Sequence, residues 1–580
     1  MISSRPDWQW FGSLSENELA EAVQDNPNVH WIQNAYAWIK DRQSQGPSLG
    51  HVPFLTVNVN SGQLGFLTID EKPIYGKQSA SSEFERHAYT AAKFVFDLFK
   101  PLQHNIGDPL IIMECDETGS GSSLSLPAMI AALQLLIGLQ LPDTICSTGD
   151  FVESSRLLAP VKGLDKKIAV AKRFGYKRLV LVDGQPDVPE NPGIEPIYVR
   201  SDPLLALFDL LKLENDETNE RRLAHLLAIY AQNRARAGQN EIEEIVTPFL
   251  DSNSRLVCHV VNDILSRAAL HIGKTAESEK YHKEAGQLEW CEYPTDGLGH
   301  YLRYEQTALN AEIAVDSGVW EDDGPIHQAV DLRVDHLQTA IDNQFADAND
   351  YFAALALRNT RAMRRRFLAR LNQKPELLLR AWNDLMTFYG HWEQIWKFAK
   401  SIGRNDSTFE RQRNYCLETL ADEFAFHEKL PQWAGVDEFF ESLRRNFTIN
   451  DGYDIIAKIL WHVVRGEQLE IDAVLQKADE LYAEWKNYPN FLPYEQLLRY
   501  DLCNDRQRDH CLDKLRQAGH LTPEPTSILT LLALRTRVVL EKYDRKLDSD
   551  PVCPPEGTPL RNIFEELQSN KETLIARCPY

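Results

Sequence analysis

The chain has 580 residues, 43% hydrophobic and 25% charged, with a net charge of −23. That length exceeds what one hydrophobic core serves, so at least two domains are expected, and the composition is that of an ordinary globular protein. The acidic balance argues against a nucleic-acid partner, because such proteins need cationic surface to displace counterions from phosphates.

No apolar run reaches the ~18 residues of a membrane helix, so no membrane partner is expected. Met1 to Phe11 has no basic start followed by an apolar core, so no secretory signal is expected. Nine cysteines stand singly, without a Cys-x-x-Cys pair, and no His-Glu-x-x-His occurs. The expectation is reduced thiols in a cytoplasm, no metal site and no cofactor.

Residues 1–52 are expected to form a helical extension. From 53 to 212, short β-rich runs alternate with helical ones, the pattern of an α/β domain. Phe54–Val59 and Gln63–Ile69 flank Ser61-Gly62 and read as a hairpin. Glu83–Phe99 is helical by the spacing of Phe84, His87, Ala88, Ala91, Phe94, Val95 and Leu98. Pro109–Cys115 reads as a compact apolar strand. Leu124–Gly138 reads as a long apolar helix closed by its glycine. Thr144–Thr148 is expected to be a strand, Leu164–Phe174 a helix ended by Gly175, and Arg178–Val182 a buried strand. Ile197–Val199 and Pro203–Lys212 complete the domain as a strand and a helix.

Leu213–Glu220 is polar and acidic and reads as a linker. From 216 to 580 helix follows helix, as in Arg221–Arg236, Arg255–Ile272, Pro375–Tyr389, Glu410–Phe426 and Asp454–Val464, and strand alternation is absent. The expected architecture is an all-α solenoid. Ala269-x-x-x-Gly273-x-x-Ala276 with Tyr281 and Ala285 has a loosely tetratricopeptide-like rhythm, with no strict 34-residue period, and some other helical array remains open. The basic run Arg361, Arg364, Arg365, Arg366 and Arg370 reads as a solvated helix face paired with nearby acids, with an acidic partner or phosphate as the alternative. The tryptophans Trp382, Trp392, Trp396, Trp461 and Trp485 read mostly as core packing between helices, with a place in a concave partner groove open for some of them.

The chemistry concentrates in two places. Ser123 stands in Gly121-Ser122-Ser123-Leu124-Ser125, at a helix start. Lys167 stands in Pro160-Val161-Lys162-Gly163-Leu164-Asp165-Lys166-Lys167, also near a helix start. Taken singly, Ser123 reads as a helix cap, Lys167 as a solvated lysine and Thr148 as a strand residue. Together, a hydroxyl and a lysine held neutral by burial make a nucleophile and base for amide cleavage.

Over residues 110–183 the chain resembles the proteolytic domain of Lon proteases, the serine–lysine peptidases. In that family an apolar strand leads to Gly-Pro-Ser-Ala-Gly and a long apolar helix, matched here by Leu110–Cys115, Gly121-Ser122-Ser123 and the helix ending at Gly138. A Thr-Gly follows, here Thr148-Gly149, and then Pro-hydrophobic-Gly-Gly-Leu-x-x-Lys, here Pro160 to Lys167. The tail Ala169, Ala171, Gly175 and Leu179-Val180-Leu181 continues the pattern. The chain departs from it at Ser122, Leu124, Ser125 and Lys162, where the family has proline, alanine, glycine and glycine.

The resemblance implies a Lon protease-like (ribosomal S5 domain 2-like) fold, with Ser123 as nucleophile, Lys167 as base and Thr148 orienting the lysine amine. Lon enzymes also carry an ATPase module. No Gly-x-x-x-x-Gly-Lys-[Ser/Thr] is present; Gly273-Lys274-Thr275 comes nearest, but position 268 is Ala and the context reads as a turn between helices. The expected function is therefore an ATP-independent serine endopeptidase cutting a protein substrate, with a substrate or regulator bound by the helical repeats. The alternative is an inactive Lon-fold scaffold. The oligomeric state is left open.

Overall fold

A computed structural model describes residues 51–57, 62–71, 83–99, 102, 108–114, 123–214, 219–233, 239–286, 292–294, 297–321, 324–343, 348–387, 407–446, 452–465, 474, 476–477, 494, 496–497, 505–518, 523–545 and 552–569. Residues 1–50 of the extension expected over 1–52, and Trp392, Trp396 and Trp485, lie outside these residues, while His51 and Val52 belong to a strand rather than a helix. One compact unit ends at Tyr230 and a second begins at Ala231.

The N-terminal unit is α/β. Its mixed sheet has six strands in the order β3-β2-β1-β4-β7-β8. These are β1 (His51–Val57), β2 (Gly62–Glu71), β3 (Pro109–Glu114), β4 (Ile145–Ser147), β7 (Arg178–Val182) and β8 (Glu195–Val199). The β1–β2–β3 half is antiparallel, with Phe54 opposite Gly65 and Thr68 opposite Ile112. The β1–β4–β7–β8 half is parallel, with Phe54 beside Ser147 and Cys146 beside Leu179. A separate two-stranded hairpin, β5 (Asp150–Val152) and β6 (Leu157–Ala159), leaves the sheet immediately after Gly149.

Helices cover both faces of the sheet. Helix α1 (Glu83–Phe99) packs on α2 (Ser125–Ile137), and α2 lies on β1 and β2. Every residue of α2 from Ser125 to Gln134 is buried, which is why apolar residues occupy every side of it, with Ser125 and Gln134 the polar exceptions. Pro127 sits in its first turn, where no backbone donor is needed. Gly138 ends it at φ +69, its N–H returning to Gln134 O at 3.0 Å. On the other face, Leu164, Ile168 and Ala171 of α3 (Leu164–Arg173) form one core with Leu55, Phe66, Cys146 and Leu179. Helix α4 (Pro203–Leu211) closes the unit, its start capped by Asp202, which accepts from the N–H groups of Leu204 and Leu205.

Helix α5 (Asn219–Asn233) runs across the boundary between units. The described part of the second unit is helical: α6 (Gln239–Val246), α7 (Arg255–His271), α8 (Thr275–Ala285), α9 (Gly297–Asp316), α10 (Pro325–Asp342), α11 (Ala348–Asn372), α12 (376–387), α13 (Ser407–His427), α14 (Val436–Asn446), α15 (Gly452–Arg465), α16 (Asp505–Ala518), α17 (Leu529–Glu541) and α18 (Pro559–Ser569). Gly273-Lys274-Thr275 forms the turn from α7 into α8, with Gly273 at φ +75. No helix among the described residues is long and apolar enough to cross a membrane.

The basic run of α11 departs from the solvated face expected for it. Arg361, Arg364, Arg366 and Arg370 are buried. Arg361 and Arg365 donate to Asp384 on α12, while Arg366 and Arg370 donate to Asp422 on α13. Arg366 also pairs with Glu418. These pairs join three helices and satisfy charges that would otherwise be stranded in the core. Trp382 and Trp461 are buried in the neighbouring core with Phe439 and Phe440, as core packing requires.

Candidate active site

The site is assembled where the parallel strands β1 and β4 end. β4 stops at Ser147, but Thr148 extends its ladder, its N–H donating to Val180 O at 3.1 Å. Gly149 then turns onto the start of α2. Its N–H donates to Ser123 O at 3.3 Å, its carbonyl accepts from Leu126 N at 3.2 Å, and it bridges Leu124 in parallel register. A Cβ at Gly149 would stand 2.9 Å from both Leu126 Cβ and Val182 Cγ2. Only glycine lets the helix and the strand end approach this closely.

Helix α3 brings the lysine from the opposite face. Its cap residue, Gly163, adopts φ +69, and the first helical bond runs from Lys167 N to Gly163 O at 3.3 Å. Val57 fills the space beside Gly163, 3.3 Å from where a Cβ would lie. Lys167, one turn in, is 2% exposed, and its Nζ donates to Thr148 Oγ1 at 3.0 Å. Burial pushes the amine down from 10.5 to about 8, with the Asp150 charge acting in the opposite direction. Asp150 is itself fixed by a 2.7 Å bond from Phe151 N–H to its Oδ1.

Ser123 is 9% exposed, and its hydroxyl donates to Leu55 O at 3.5 Å, a bond near the limit of useful length. Among the described residues no hydrogen bond joins Ser123 to Lys167. Both instead attach to the same two-residue segment, Lys167 through the Thr148 hydroxyl and Ser123 through Gly149. Leu124, beside the serine, is completely buried and caps α2 without a side-chain bond. Gly121 and Ser122 lie outside the described residues, whereas Ser125 is buried in the first turn of α2. Lys162 is exposed.

Two contributors escaped the sequence reading. The Leu55 carbonyl, on a strand 68 residues before the serine, carries no signal in its side-chain identity. Asp150 was available as the residue after Thr148-Gly149, but only the fold directs its charge to Lys167. The arrangement provides a hydroxyl at a helix N-terminus, where the dipole favours developing negative charge, and an amine that is partly neutral near pH 8.

No protein-family model matches the chain. No curated protein matches it either.

Proposed function

We propose that the protein is an ATP-independent serine–lysine endopeptidase of the Lon-like kind, with a Lon protease-like N-terminal domain and a helical domain that recruits or senses its protein partner. The observation that carries the reading is the buried Lys167 amine, lowered to about 8 and held on the Thr148 hydroxyl one residue from the backbone clasp that fixes Ser123. A lysine is an effective base only when neutral, and burial brings this amine down to about 8, so its neutral fraction grows from that pH upward.

In this reading Ser123 releases Leu55 O and turns toward Lys167. Its Oγ attacks a peptide carbonyl carbon while its proton passes to the Lys167 Nζ. The start of α2 faces the oxyanion that forms. The tetrahedral species collapses with loss of the peptide amine, which takes the proton from Lys167. Water then attacks the acyl-Ser123 ester with Lys167 again as base, regenerating the hydroxyl and releasing the acid. Without an unfolding engine, flexible segments are the substrates.

The test is digestion of β-casein, a protein without stable tertiary structure, at pH 9. Wild type is expected to release peptides that Ser123→Ala and Lys167→Met do not. Identical peptide maps from wild type and Ser123→Ala would remove the protease reading.

A second reading, an inactive scaffold, is favoured by one observation. The Ser123 hydroxyl engages Leu55 O rather than Lys167, and Leu124 beside it is completely buried. The same digestion separates the two readings.

A further inference from the structure

We propose that Thr56 is a positioning residue for the Ser123 nucleophile. The inference rests on the serine–lysine reading above.

The last three residues of β1 meet the site one after another. Leu55 offers its carbonyl to the Ser123 hydroxyl. Val57 packs on Gly163, the residue that starts the helix of Lys167. Thr56 lies between them and is 1% exposed. Its Oγ1 is fully buried and has no hydrogen-bond partner among the described residues.

The face on which Thr56 lies is fixed by the strand. Leu55 joins the core shared with α3, so the alternation of β1 turns Thr56 to the opposite face. That face carries α2, with Ser123 immediately before its start. The parallel register sets Phe54 beside Ser147, so two residues further Thr56 comes level with Gly149, the residue that clasps Ser123. A strand end at this position gains nothing in packing from a hydroxyl that valine would not supply. An unpaired buried hydroxyl is costly, and such groups call for a role.

The role follows from what Ser123 has to do. Its hydroxyl has one proton, which the ground state spends on a long bond to Leu55 O. To react, that proton must point at Lys167 Nζ. A Thr56 hydroxyl that donates to a lone pair of Ser123 Oγ orients the remaining O–H away from Leu55 O. It also stabilises the oxygen as negative charge builds. Thr56 thus acts through the serine and not on the substrate.

The test uses the whole chain and a biotinylated alkyl fluorophosphonate. In that reaction the Ser123 Oγ–P bond forms, the P–F bond breaks, fluoride leaves and the serine proton passes to Lys167. Labelling rates are followed from pH 6 to 10 beside thermal melting. Thr56→Val is expected to label Ser123 roughly tenfold more slowly, the factor expected for loss of one hydrogen bond. Its pH midpoint should be unchanged and its Tm equal or higher, because a polar group is removed from the core. Thr56→Ser is expected to restore most of the rate, and Thr56→Ala to repeat the loss with a smaller side chain. Wild-type rates in Thr56→Val or in Thr56→Ala would overturn the inference while leaving the serine–lysine reading intact. If wild type carries no label at Ser123, that reading falls and the role of Thr56 falls with it.

Discussion

Lys167 owes its reduced basicity to where it is buried rather than to a neighbouring cation. Desolvation is the largest influence on the amine, and Asp150 opposes it, so the value rests near 8 instead of falling further. The balance has a consequence for stability. The unfolded chain holds the lysine proton up to 10.5, whereas the folded chain releases it from about 8 upward. Between those values the unfolded state binds more protons, so stability rises with pH across that window. Below about pH 8 the folded protein carries a buried charge whose cost Lys167→Met removes. The variant is expected to melt higher than wild type at pH 7, with the difference shrinking toward pH 10. A lower Tm for Lys167→Met at pH 7 would mean that the ammonium is well solvated in the fold.

At the scale of elements, the site depends on α2 and β4 meeting without a side chain between them. Gly149→Ala places a methyl against Leu126 and Val182. It is expected to destabilise the protein by about 1–3 kcal/mol and to slow modification of Ser123 more than the loss in Tm explains. Unchanged labelling in a destabilised Gly149→Ala would detach the clasp from the chemistry. The helices and the strand flanking this contact were legible in the sequence because each has a strong period or a clean stop. Leu124 to Gly138 is apolar except for Ser125 and Gln134, Gly175 ends α3, and Arg178–Val182 is a compact, mostly buried strand. The hairpin β5–β6 was not legible. Its strands have three residues each, too few to show alternation, and they are placed by tertiary contacts: the Phe151 ring lies tilted against Phe94 with centroids 5.0 Å apart, and Leu158 N–H donates to Ser201 O at 2.7 Å. The arginines of α11 misled for the opposite reason. Charge density reads as surface in a linear sequence, but their acids, Asp384, Glu418 and Asp422, lie on two later helices and neutralise them inside the core.

At the scale of the whole molecule, the two units differ in how the chain closes them. The α/β unit is built from neighbours along a sheet. The helical unit joins distant parts of its sequence: the buried Asp316 at the end of α9 accepts from the Thr275 and Ser527 hydroxyls and from Ile528 N–H. Leu531, Leu560 and Phe564 near the C-terminus share a core with Val315, Leu368 and Leu377. A strictly nearest-neighbour stack lacks such ties. Under the proposed function this unit supplies partner selection, and the α/β unit supplies cleavage of whatever flexible segment reaches Ser123. All of that depends on one proposed step, the activation of Ser123 by a neutral Lys167. The most direct measurement is the rate of fluorophosphonate attachment to Ser123, mapped by mass spectrometry from pH 6 to 10, in wild type and in Lys167→Arg. A guanidinium stays protonated throughout that range. The account predicts a wild-type rate that climbs about tenfold per pH unit and levels off above about pH 8, as the lysine titrates, with no labelling in Lys167→Arg. Equal rates in the two proteins, or a Ser123 that stays unmodified at every pH, would contradict it.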